Sequence, residues 1–186
     1  RTRLHTLQAL DADGRPTPHG HAIARLPLAP RLGHMLVRAG ELGLAEVAAE
    51  IAVLLGERGL GGNDVDLESR RRRWRTERGA RAEAGRKLAK RWTNLAPLPL
   101  AGGAGGGNET PAARPASPPP APPASGRGGE ATAIALAFPD RIARRRDGSG
   151  ETWASVGGRG FKLDPTSALA REEWLAVAET QGMASG

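Results

Sequence analysis

Between Ala96 and Glu130 the chain carries the run Gly102-Gly103-Ala104-Gly105-Gly106-Gly107, followed by Pro118-Pro119-Pro120-Ala121-Pro122-Pro123. Such a stretch lacks the apolar surface needed to offset the entropy of ordering it, so residues 96–130 read as a disordered Gly/Pro linker. Its place near the middle of 186 residues makes two small modules and a linker a better fit than one large fold. The 26 glycines and 15 prolines leave limited material for either module.

The module before the linker is punctuated as a mainly α bundle. Ala9-Leu10-Asp11-Ala12-Asp13-Gly14 reads as an apolar helix end running into an Asp/Gly turn. Thr17 then suits an N-cap, with Pro18 at the first helical position. This predicts a short helix from about residue 18 to 26, stopped by Pro27. Ala29-Pro30 restarts a helix with Leu32, Met35, Leu36 and Ala39 on one face. Leu44, Val47, Ala48, Ile51, Leu54 and Leu55 give the next an amphipathic stripe. A basic helix from about 66 to 95 packs alongside.

That basic helix holds most of the information about partners. Residues 70–91 contain eleven Arg or Lys (Arg70, Arg71, Arg72, Arg73, Arg75, Arg78, Arg81, Arg86, Lys87, Lys90 and Arg91) against Glu77 and Glu83, a local balance of +9. The whole chain carries +7, so the other 164 residues sum to −2. Charge of one sign concentrated on one helix points to phosphate backbones, bound in a salt-dependent way. Arg71, Arg75, Arg78 and Lys87 are the candidate contacts, and a solvated helix face is the alternative. Trp74 and Trp92 fall at helical spacing with Leu88 and are expected in the core, base stacking being the other option.

After the linker, residues 131–146 are apolar and then basic. Arg141, Arg144, Arg145 and Arg146 form a second candidate nucleic-acid cluster. Residues 152–156 and 159–163 read as two short strands around Gly157-Gly158. Residues 174–178 fit a strand or a helix.

Enzyme chemistry is missing. Without a Gly-Lys pair there is no phosphate loop of the G-x-x-x-x-G-K-[ST] kind, and no G-x-S-x-G elbow occurs. No catalytic residue is assigned. Four histidines without metal-ligand spacing, and no cysteine, give no zinc site. Asp11 with Asp13, and Asp64 with Asp66, read as turn formers. His19, His21 and His34 suit capping or partial burial. The most hydrophobic stretch, 44–55, is broken by Glu46 and Glu50, so the chain is expected to be soluble and cytoplasmic, with no membrane partner. The chain enters patterned residues (Leu4, Leu7, Leu10) directly from Arg1 and reads as a fragment.

Two stretches carry a family resemblance. Ala9-Leu10-Asp11, Thr17-Pro18-His19-Gly20, Leu26-Pro27-Leu28-Ala29-Pro30-Arg31-Leu32 and Met35-Leu36 resemble the helicase-associated region of DEAH-box helicases. Residues 135–146 (ALAFPDRIARRR), the Gly-rich hairpin and Glu173-Trp174-Leu175 are similar to the bacterial HrpB type in particular.

The resemblance implies the C-terminal accessory region of an ATP-dependent helicase. It implies a winged-helix remnant at 1–26, a helical bundle at 27–95, and at 131–186 a truncated C-terminal region opening an incomplete OB-like domain. It also implies two RecA-like motor domains of the same parent chain as partners. ATP and Mg would be used by the parent, with no cofactor in this chain. The bundle would guide single-stranded nucleic acid, RNA before DNA, past the motors. The competing reading is a stand-alone basic nucleic-acid-binding or scaffold module without a motor.

Overall fold

The computed structural model describes residues 2–97, 127–146 and 152–180. The Gly/Pro tract 98–126 lies outside them, so the spacer reading has no structural counterpart there. Residues 127–130 do not belong to the spacer, because they form the first turn of a helix.

The described residues hold seven α-helices and one four-stranded antiparallel sheet. The helices are α1 (Thr2–Thr6), α2 (Pro18–Ala24), α3 (Pro30–Glu41), α4 (Ala45–Gly56), α5 (Leu67–Thr76), α6 (Ala80–Leu95) and α7 (Arg127–Ala137). The strands are β1 (Ile142–Arg145), β2 (Thr152–Ser155), β3 (Gly160–Lys162) and β4 (Trp174–Ala176), in the order β3-β2-β1-β4.

The expected start of α2 is present in atomic detail. Thr17 Oγ1 accepts the Gly20 amide at 2.9 Å and donates to the Gln8 carbonyl at 2.6 Å, with Pro18 in the first turn. Gly20 is required because a Cβ there would lie 2.0 Å from the Ala9 carbonyl oxygen. The Thr-x-x-Gly step is therefore a clamp between the first turn of α2 and the preceding segment.

Helix α4 departs from the expected one-sided stripe. Ala48, Ala49, Glu50, Ile51, Ala52, Val53 and Leu54 are all buried in succession, which covers every side of the helix. It is the central element, packed against α3, α5, α6 and α7. The alanines at 48, 49 and 52 let neighbours approach faces that a larger residue would hold off.

The single basic helix expected over 66–95 is two helices. The chain breaks after Thr76, and Gly79 takes φ +121°, a backbone conformation that L side chains rarely adopt. The carbonyls freed by the break are recovered: Arg86 Nη1 donates to the Trp74 and Glu77 carbonyls at 2.9 and 3.0 Å. Arg70 does the same for the end of α4, donating to the Leu54 carbonyl at 3.1 Å. Trp74 and Trp92 are both core residues, 0% and 7% exposed. A Cβ at Gly85 would lie 3.1 Å from the Trp74 ring and 3.3 Å from Leu60 and Val53, so α6 approaches α4 closely.

Helix α7 lies in the same apolar core, with Ala133, Ile134 and Ala137 buried against α3 and α4. Past it, Arg31 donates to the Ala137 carbonyl at 3.2 Å and to Asp140 Oδ1 at 2.6 Å, and Phe138 sits beneath the Arg31 and Arg141 guanidiniums. The sheet carries a second, smaller core of Ala143, Trp153, Ala170 and Leu175. The Gly157-Gly158 hairpin forms as expected, with Gly158 at φ +79°. Residues 174–176 resolve as a strand, paired with β1.

Candidate nucleic-acid interface

The eleven cations of residues 70–91 divide into three groups. Arg71, Arg72, Arg73, Arg75 and Arg81 form ion pairs, and Arg70 and Arg86 are committed to backbone carbonyls. Arg78, Lys87, Lys90 and Arg91 are exposed and have no ion pair or hydrogen bond among the described residues.

The acids that meet the first group come from outside the segment: Glu46, Glu50, Glu57, Asp64, Glu68 and Glu130. These six carboxylates reduce the local surplus from nine charges to three. In three dimensions most of the arginine charge is met by the fold's own acids, at the surface for Arg72, Arg73 and Arg81 and in the interior for Arg71.

Its densest point joins α4, α5 and α7. Glu50, 7% exposed on the central helix, accepts from Arg71 Nη1 at 2.8 Å and from Arg75 Nε and Nη2 at 2.9 and 2.8 Å. Arg71 Nη2 faces Glu130 Oε1 on α7 as an ion pair, while neither Glu130 oxygen accepts a hydrogen bond. The hydrogen bond to Glu50 holds the Arg75 proton more tightly than usual, with the Glu50 and Glu46 charges adding to it. Two of the expected phosphate contacts, Arg71 and Arg75, thus face carboxylates. A bare buried carboxylate is costly, and these guanidiniums remove that cost.

Arg78 lies in the joint between α5 and α6, and Lys87 lies on α6. Ala82, Gly85, Ala89 and Trp92 form the buried stripe of α6. At 100° per residue Lys87, Lys90 and Arg91 fall on the opposite side, with Glu83 one turn away as the acid on that face.

The second cluster also divides. Arg141 donates to the Ala178 carbonyl at 2.6 Å and stacks over Phe138, 4.7 Å from the ring centre. Arg144 pairs with Glu173 at 2.9 Å and lies over Trp174. Arg145 is partly buried and Arg146 exposed; neither side chain has a polar partner among the described residues.

Three features escaped the sequence reading. Glu50 stands in an apolar run, and an acid there signals a buried cation partner. The His19 and His34 side chains meet across α2 and α3, Nε2 to Nδ1 at 2.8 Å with the rings edge to face. Burial, then the His19 and Arg38 charges, push His34 down to about 4; burial and Arg38 lower His19 as well. Trp174 is 55% exposed at the edge of the sheet, a position that the undecided strand-or-helix pattern could not reveal.

No family model matches the chain, and no curated protein does. Among solved structures, a helical bundle joined to this small sheet is shared with part of a DExH/DEAH-box helicase. The E. coli DExH-box NTPase HrpB matches over 98% of this chain, with 29% identity and a TM-score of 0.67. A second structure, of the Escherichia coli DEAH/RHA helicase HrpB, matches over 92% with 28% identity and a TM-score of 0.61. The chain is similar to these two HrpB structures and spans about a fifth of their length, 19% and 18% of the two matched chains. Among the described residues no helix is long and apolar enough to cross a membrane.

Proposed function

We propose that this chain is the nucleic-acid-contacting accessory part of an ATP-dependent helicase of the HrpB type, acting in the cytoplasm. Single-stranded nucleic acid, RNA before DNA, passes along the outer face of α6. Motor domains elsewhere in the parent bind ATP and Mg and drive the strand. In this reading α1 and α2 are the end of a winged helix, α3 to α6 the bundle, and the sheet the opening of an OB-like domain.

The observation that carries the proposal is the sorting of the arginines. If all eleven cations were balanced internally, the basic segment would be a packing device. Four are not, and three of those share one side of one helix. Flexible cations on a rigid helix meet phosphates without reading bases, which suits an element that a strand must slide past. Arg145 and Arg146 supply a second free pair at the sheet.

The test compares binding of a short oligouridylate by the chain and by the Lys87→Glu, Lys90→Glu, Arg91→Glu variant. These side chains are exposed, so the fold survives and affinity falls at least tenfold at low salt, equally for every sequence. An unchanged affinity would assign α6 to a solvated face and remove the nucleic-acid reading from this helix.

A further inference from the structure

Three of the four tryptophans are buried, Trp74 and Trp153 at 0% and Trp92 at 7% exposed, whereas Trp174 leaves 55% of its surface in solvent. An exposed indole held in place by its neighbours offers a flat aromatic face to a ligand.

Strand alternation defines its surroundings. Ala143, Trp153 and Leu175 point into the small core, so Arg144, Ala154 and Trp174 point to the opposite face. The register pairs Trp174 with Arg144, Arg144 with Ala154, and Ala154 with Gly160, one row across all four strands. The next step of the ladder, Arg146 N to the Thr152 carbonyl at 2.9 Å, places Arg146 on the same face, about 7 Å further along. In the other direction Ala176 packs on the bundle core, whereas Arg146 is exposed among the described residues.

The row has a definite shape. Arg144 stands next to Trp174, and beyond it Ala154 and Gly160 leave the rest of the row flat. The Arg144 guanidinium lies 5.4 Å from the Trp174 ring centre and is fixed by Glu173 Oε1 at 2.9 Å, so the ring is held from one side. The Arg144 charge is met by Glu173, whereas Arg146 is exposed with no polar partner among the described residues; Lys162 stands on the same face, in register with Thr152.

We infer that Trp174 and the face it shares with Arg146 form a base-stacking platform for single-stranded nucleic acid, with Trp174 against a nucleobase and Arg146 against a neighbouring phosphate. The inference rests on the nucleic-acid reading above and adds the stacking partner that α6 lacks. A protein-docking patch would surround the indole with further bulky apolar side chains; here its row holds an arginine, an alanine and a glycine. A duplex keeps its bases stacked on one another and offers none to the ring, so the platform selects single strands.

Intrinsic fluorescence of the whole chain tests this, since Trp174 is the exposed fluorophore. A short oligouridylate is expected to quench the emission, and a duplex of equal length to leave it unchanged. In Trp174→Leu the quench disappears and affinity drops about five- to 150-fold, while Trp174→Phe retains most of both. The slope of affinity against salt stays as in the parent chain, because no cation has been removed. Near-ultraviolet circular dichroism of the buried tryptophans monitors the fold. Binding and quenching unchanged in Trp174→Leu would overturn the platform while leaving the α6 reading intact. A chain that binds no single strand at all would overturn both. Self-association abolished by Trp174→Leu, without an effect on nucleic acid, would make the face a protein contact and end the inference.

Discussion

The Arg71 guanidinium, 12% exposed, lies between two carboxylates that are themselves 9% and 5% exposed, Glu50 and Glu130. Truncating it leaves Glu130 with no ion pair among the described residues and Glu50 with Arg75 alone. Because a buried charge stripped of its partner is worth far more than an exposed pair, Arg71→Ala should lower unfolding free energy by about 3–5 kcal/mol. Arg75 is 43% exposed, and Arg75→Ala should cost about 1 kcal/mol or less. Urea denaturation of the two variants checks the order, and equal losses would mean that the cluster is solvated. The His19 and His34 pair makes a prediction about pH. Both rings bind protons less readily in the fold than in the unfolded chain, so the unfolded state takes up more protons as pH falls. Stability should be complete above 6.5 and decline as pH drops from there towards about 4, the value to which His34 is pushed. Denaturation midpoints across that window should flatten in a His19→Gln, His34→Gln variant. A decline of the same steepness would place its origin in other groups.

Gly20 and Gly79 show what an element's boundary requires. With a Cβ 2.0 Å from the Ala9 carbonyl, Gly20→Ala must push α2 off the preceding turn, a cost of about 1–3 kcal/mol by the measure of overpacked sites. Gly14→Ala is the control: its φ of +80° is strained too, but nothing lies within 4 Å of the added Cβ. Thermal melts should rank Gly20→Ala below Gly14→Ala, and the reverse order would remove the clamp. Elements whose cause is local were legible in the sequence. Thr17-Pro18, Ala29-Pro30 and the Gly157-Gly158 turn each act within a few residues, and the structure has each where expected. The break at Gly79 was not legible, because a glycine in an Arg- and Ala-rich run also fits inside a helix. Nor was the all-round burial of α4, which depends on helices arriving from four directions. The fate of Arg71 and Arg75 was hidden for the same reason: their partner Glu50 lies 21 and 25 residues back, and Glu130 stands beyond the Gly/Pro tract. Spacing identified the cations and gave no sign of what they face.

At the scale of the whole molecule, the basic segment divides into two sets of cations. Arg71 and Arg75 tie α4, α5 and α7 together, and the four cations without partners among the described residues are those proposed to meet nucleic acid. The similarity to HrpB extends over nearly the full chain, and the single-stranded ligand is proposed from it. A solvated face and a phosphate track differ in how binding responds to salt. The most direct measurement is therefore the slope of log affinity for a short oligouridylate against log salt concentration, taken for the chain and for a Lys87→Gln, Lys90→Gln, Arg91→Gln variant. If these three residues grip phosphates, each releases a fraction of a counterion, and the slope should become shallower by roughly two. Parallel lines for the two proteins would contradict the assignment of α6 as the phosphate-contacting face.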